Sequence, residues 1–226
     1  MIPLDDPLLV LDTISIGCWF VVAGYHFLMF GFFFFQRFRT RRIMYWAYLA
    51  LFFLLLALGR GFFIVFDFYS DKILWWRVAT CIQWFGLAFL ALLIVYLILE
   101  NLYHQIIIAI PPPIIALLVL FVPVSLISTP GTAFRIIINS VLAPIYAIFI
   151  PALFFYLAYN SVGTIRRGSI LNGIGFLILY AGRVIASEVV QIALATTPWV
   201  FAILAPGLVI LALLIISMGN QYELLT

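Results

Sequence analysis

With 226 residues, 67% of them hydrophobic and only 8% charged, the chain is far more apolar than a water-soluble domain, in which about a quarter of residues carry charge. Lipid is its solvent, and the formal charge of +3 sits in two short turns, leaving no basic surface for nucleic acid. Almost all of the length is apolar run, so the sequence predicts one transmembrane domain over residues 1–226 and no separate soluble lobe.

The N-terminal stretch to Asp12 carries acids and no basic residues, so the first apolar run reads as an uncleaved signal anchor. Seven runs of about 20 residues, the length that crosses a bilayer, lie near 10–35, 43–66, 73–99, 106–127, 135–159, 169–194 and 199–218. The fold class this predicts is an all-α membrane protein, a seven-helix bundle joined by short loops. Pro111, Pro112 and Pro113 interrupt the fourth run near its start, a position at which a helix tolerates proline.

Arginine fixes the orientation. QRFRTRR, with Arg37, Arg39, Arg41 and Arg42, follows the first run, and GTIRRGS, with Arg166 and Arg167, precedes the sixth; short basic loops stay in the cytoplasm. The sequence therefore predicts a multi-pass protein of the cell membrane, N-terminus outside and C-terminus inside. Tyr45 and Trp46 on the inner side, and Tyr69, Trp75, Trp76 and Trp199 on the outer, read as headgroup-level anchors. The four phenylalanines from Phe32 to Phe35 cover every face of a helix and read as packing and lipid contact. Gly163, Gly168, Gly173, Gly175 and Gly182, with Ser169 and Asn172 between them, let a sixth helix approach its neighbours closely and place it centrally. Pro144, Pro151 and Pro206-Gly207 predict bends in the fifth and seventh helices.

Ionisable residues inside the runs are costly in lipid and point to the bundle interior. Arg60, seven residues before Asp67, and Glu188, about seven before an outer turn, lie at matching depths of about 10 Å below the outer surface. Arg183 is five residues from Glu188 and roughly 140° around the helix from it, so those two do not share a face. Arg183, Ser187 and Gln191 repeat every fourth residue as one polar stripe, and Arg77, Thr80, Gln83 and Trp84 form another. Asp12 opens the first run at comparable depth. Asp12, Arg60, Arg77, Gln83, Arg183, Glu188 and Gln191 are accordingly the candidate set for an outward-facing pocket, against the alternative of a static ion-pair network that holds the bundle together.

Other chemistries find no residues to carry them. His26 and His104 differ in depth by roughly 15 Å, which does not suit a bis-histidine haem. Lys72 is the sequence's single lysine and lies outside the seventh run, so no retinal Schiff base is expected. Protease, nucleotide and pore-filter motifs are missing, and Cys18 and Cys81 read as small apolar residues rather than as a disulfide or a zinc site. No catalytic residue, metal or cofactor is expected.

The order of QRFRTRR, the stretch ALGRGFFIVFDFYSDKILWWRVATCIQWFG and the entry RRGSILNGIG resembles the seven-helix sensor region of archaeal and bacterial histidine kinases and related signalling proteins. That resemblance implies a receptor-like membrane protein that signals by helix repacking. Such sensors continue into cytoplasmic signalling modules, whereas this sequence ends at GNQYELLT; the resemblance thus implies a truncated sensor, or a stand-alone relative acting through a protein partner or as a homo-oligomer. An accessory subunit of a larger membrane complex is the second expectation, and a small transporter or channel the third.

Overall fold

The computed structural model describes residues 7–70, 72–98, 102–127, 132–187, 190 and 199–221. Among them the chain is helical, with no strand. Helix α1 (Pro7–Gly31) runs on through a π-helical stretch, Phe32–Phe38, and a last α turn, Arg39–Arg41. Arg42 then adopts the left-handed region at φ 53°, its N–H bonded to the Phe38 carbonyl, and this stops the helix. There follow α2 (Met44–Phe68), α3 (Ile73–Ile98), α4 (Leu102–Ala109) and α5 (Pro111–Phe121). Next come α6 (Ala133–Ile136), a π turn Ile137–Leu142, α7 (Ala143–Tyr159), α8 (Gly163–Ile185), a second π turn Val200–Leu204 and α9 (Ala205–Gln221).

Five of these helices are long and apolar enough to cross a membrane: Asp12–Phe38, Met44–Phe68, Ile73–Leu93, Gly163–Ile185 and Val200–Gln221. They coincide with the first, second, third, sixth and seventh apolar runs. The fourth and fifth runs hold the shorter apolar helices Ile106–Phe121 and Ala143–Tyr159. Both runs contain prolines. Three successive prolines withdraw three N–H donors at the α4–α5 junction, where helical bonds survive on either side as Ile110 N–H to Ile106 and Ile114 N–H to Ile110. Pro144 and Pro206 each stand one residue beyond a π turn. In both, the residue before the proline bonds five residues back, Ala143 to Ile138 and Ala205 to Val200. The wider turn relieves the clash between a proline ring and the carbonyl four residues earlier.

Two compact units are present, residues 23–129 and residues 1–22 with 130–226. In the first, α2 and α3 pack antiparallel. Phe62 stacks on Trp75 at one end and Tyr48 meets Phe89 at the other, while Gly59 lies against Gln83 and the Ala79 carbonyl between them. Phe33 stacks at 5.7 Å on Trp46 and at 5.6 Å on Phe53, tying the π stretch to α2. Helix α5 packs on α3.

In the second unit, α8 is antiparallel to both α7 and α9. Phe154 stacks on Phe176 at 5.3 Å, and the Phe155 ring fills the notch left by Gly173. Against α9 the backbones nearly touch: a Cβ on Gly168 would lie 2.7 Å from the Gly219 carbonyl oxygen, and one on Gly175 would lie 2.5 Å from Ile216. Gly182 repeats the contact at the Ala205 carbonyl. Lipid removes the hydrophobic gain on helix association, so dispersion over this close-packed seam supplies the attraction. Within this unit α8 packs against both α7 and α9.

Apolar side chains such as Phe20, Leu28, Phe121 and Ile148 stand exposed along the helices. Lipid tails solvate such a surface, which water would not.

Candidate functional site

Of the seven pocket candidates, Glu188 and Gln191 lie outside the described residues. Three belong to the α2–α3 pair. Gln83 packs its side chain onto Gly59, the neighbour of Arg60, and the Arg60 guanidinium lies 5.7 Å from the Phe63 ring centroid. Arg77 reaches from α3 to the end of α5 and donates to the Leu120 carbonyl at 3.2 Å and to that of Val122. Those acceptors belong to the last turn of α5, whose carbonyls have no partners of their own helix. Pro123 follows immediately and cannot continue the helix. Arg77 thus works as a C-terminal cap, with its charge at the negative end of the helix dipole.

Asp12 and Arg183 belong to the other unit. Asp12 is exposed on α1. Arg183 is part-buried near the end of α8, one turn beyond Tyr180, with which it interacts electrostatically. The helix ends at Ile185, and Ala186 and Ser187 form a turn and a bend. Of the expected stripe Arg183–Ser187–Gln191, Arg183 and Ser187 therefore do not share a continuous helix, and Gln191 lies outside the described residues. The helix-three stripe does lie on one helix: Thr80 and Trp84 are buried and Arg77 and Gln83 part-buried, all on α3.

The basic turns divide. Arg39, Arg42, Arg166 and Arg167 are exposed, and Arg41 lies on the last turn before Arg42. Arg37 is only 2% exposed, its guanidinium 5.1 Å from the Trp46 ring centroid and 5.5 Å from that of Phe32. Charge counting reads Arg37 as one more loop cation, and only the density of aromatic residues around it signals a cation held between rings. Charge counting likewise passes over Arg135, which is buried.

At the opposite end of α8, the Asn220 side-chain amide donates to Asn172 Oδ1 at 2.9 Å and to the Ile216 carbonyl at 2.7 Å, all buried. An amide pair between helices aligns them in rotation and height. His26 is buried with its ring facing Phe53 at 6.1 Å, and both cysteines are thiols. Among the described residues no group of three or more His, Cys, Asp or Glu side chains is placed to hold a metal ion.

Comparison of the chain with known protein families, with curated proteins and with solved structures finds no match.

Proposed function

We propose that the chain is a seven-span, receptor-like sensor of the cell membrane with its N-terminus outside and its C-terminus inside, as the resemblance to the sensor region of histidine kinases implies. Two features support the two additional spans. Residues 133–159 are helical without interruption through the π turn, and α4 and α5 follow each other with only Ile110 between them. Either stretch reaches about 30 Å or more at 1.5 Å per residue. Orientation rests on the exposed arginines of the two basic turns.

The observation that carries the sensor reading is the construction of α8 and α9. Tyr180 and Arg183 lie at the outer end of this orientation, and the Asn172–Asn220 pair at the inner end. A continuous glycine seam joins the two ends. A ligand that favours one packing of α7 against α8 would move α8 and α9 together, and can act only through different affinities for the two packings. The test is a cryo-EM map of the chain purified from its native membrane in mild detergent. Non-protein density near Arg60, Arg77 or Arg183 in a lone chain agrees with this reading; an interior without such density, ringed by partner helices, contradicts it.

A second reading, an accessory subunit, draws on Arg77, whose bonds to Leu120 and Val122 are those of a fixed structural clasp. A stoichiometric partner in the same preparation is its signature.

A further inference from the structure

We propose that the unit holding α6 to α9 has a hinge plane built across it, at the level where α8 ends, about which the terminal arms of α7 and α9 swing while the glycine seam stays fixed. This goes beyond the sensor reading and does not depend on it. The backbone changes in all three helices at that level. Helix α8 stops at Ile185, and Ala186 and Ser187 form a turn and a bend. The arm of α7, residues 133–142, joins its helix through the π turn Ile137–Leu142 and Ala143-Pro144. The arm of α9, residues 199–204, joins through the π turn Val200–Leu204 and Ala205-Pro206.

Packing sets the three breaks side by side. Gly168 on Gly219 and Gly182 on Ala205 fix the register of α8 against α9, and Gly173 on Phe155 and Phe176 on Phe154 fix it against α7. Followed residue for residue, those registers put Pro206 opposite Ala181 and Pro144 opposite Val184, within about 6 Å of the end of α8 at 1.5 Å per residue. Proline weakens both arms at that point. Pro144 and Pro206 have no N–H for the Ser140 and Ala202 carbonyls four residues back, and the bonds just before them are the wider ones from Ala143 to Ile138 and from Ala205 to Val200. Helices bend sharply at such junctions. Pro151, further along α7, sits within continuous α-helix and has no such turn.

The arms are also lightly packed. Among their described side chains only Arg135, Ile138 and Ala202 are buried, and nothing lies within 4 Å of a Cβ on Gly207 beside the hinge. Beyond the plane α9 buries Val209, Ala212, Leu213 and Ile216 in turn, and the Asn172–Asn220 pair locks its far end. Loosely packed ends joined through weakened backbone to a close-packed body are the construction of a hinge. A bend of about 20° at Pro144 carries the tip of an arm roughly 16 Å long through about 5 Å.

The test is pulsed electron–electron double resonance on the full chain in phosphatidylcholine nanodiscs, in a Cys18→Ala, Cys81→Ala background. Nitroxides at Ile137→Cys and Ile203→Cys report on the two arms, and nitroxides at Tyr156→Cys and Met218→Cys on the same two helices beyond the plane; all four positions are exposed. The arm pair is expected to give a distance distribution about 5 Å wider than that of the body pair. Pro144→Ala with Pro206→Ala restores both N–H groups and is expected to narrow the arm pair to the width of the body pair, leaving the body pair unchanged. An arm pair no wider than the body pair, or a width that the two substitutions leave unchanged, would overturn the proposal. If the double variant does not fold, the comparison of the two pairs with both prolines in place decides alone.

Discussion

Adding a single methyl group at Gly168 puts the α8–α9 seam to a quantitative test. The new Cβ would lie 2.7 Å from the Gly219 carbonyl oxygen, whereas ordinary contact begins at 3.4 Å, so the backbones must part by about 0.7 Å. The obstacle is backbone and cannot swing aside. A gap of that size forfeits a quarter to a half of the dispersion energy of each contact it opens. Overpacking of this kind costs about 1–3 kcal/mol, and the better helix propensity of alanine offsets up to about 1 kcal/mol. Gly168→Ala should therefore destabilise the protein by about 1–2 kcal/mol. Gly207→Ala, in the same unit with nothing within 4 Å of its Cβ, should be neutral or slightly stabilising. SDS titration from mild detergent, followed by tryptophan fluorescence, measures both. A Gly168→Ala protein as stable as Gly207→Ala would refute the close-packed seam.

Asn220→Ala should cost about 1 kcal/mol, and a double-mutant cycle with Asn172→Ala in the same titration should return a coupling of about 0.5 kcal/mol or more; additive losses would separate the two amides energetically. Arg77→Met should destabilise by about 1–3 kcal/mol by stripping donors from the Leu120 and Val122 carbonyls, and Arg77→Lys, with a compact ammonium in place of the fork, should recover part of that loss in thermal unfolding. Arg37→Lys keeps the charge and surrenders the planar stacking, so it should cost about 0.5–1 kcal/mol and alter the emission of Trp46 in steady-state fluorescence; an unchanged spectrum and stability would make the aromatic contact incidental.

Apolar length alone located the five long helices, because spanning lipid demands about 20 apolar residues and little else satisfies that demand. Glycine spacing was equally legible, since Gly168, Gly175 and Gly182 recur at one-per-two-turn intervals and meet α9 at each. The prolines announced irregularity at the fifth and seventh runs without showing its form. The π turns before Pro144 and Pro206 depend on how far each helix widens to clear the ring. Partner choice was not legible. Depth matching grouped Arg77 with Arg60 and Gln83, but the guanidinium turns to α5, whose end is set by Pro123 in another apolar run. Tyr180 went unnoticed because a tyrosine in an apolar run reads as an aromatic like any other, and only the packed structure shows its hydroxyl buried without an acceptor.

Five crossings and seven place both termini and both basic turns on the same sides, so labelling those positions does not tell the two counts apart. The turn between the fourth and fifth runs does. Cysteine at exposed Val124, in a chain carrying Cys18→Ala and Cys81→Ala, can be probed in intact cells with a membrane-impermeant maleimide. The seven-span account predicts labelling of Val124→Cys from outside, before permeabilisation. Labelling only after the membrane is opened would put this turn in the cytoplasm, reduce the crossings to five and contradict the account.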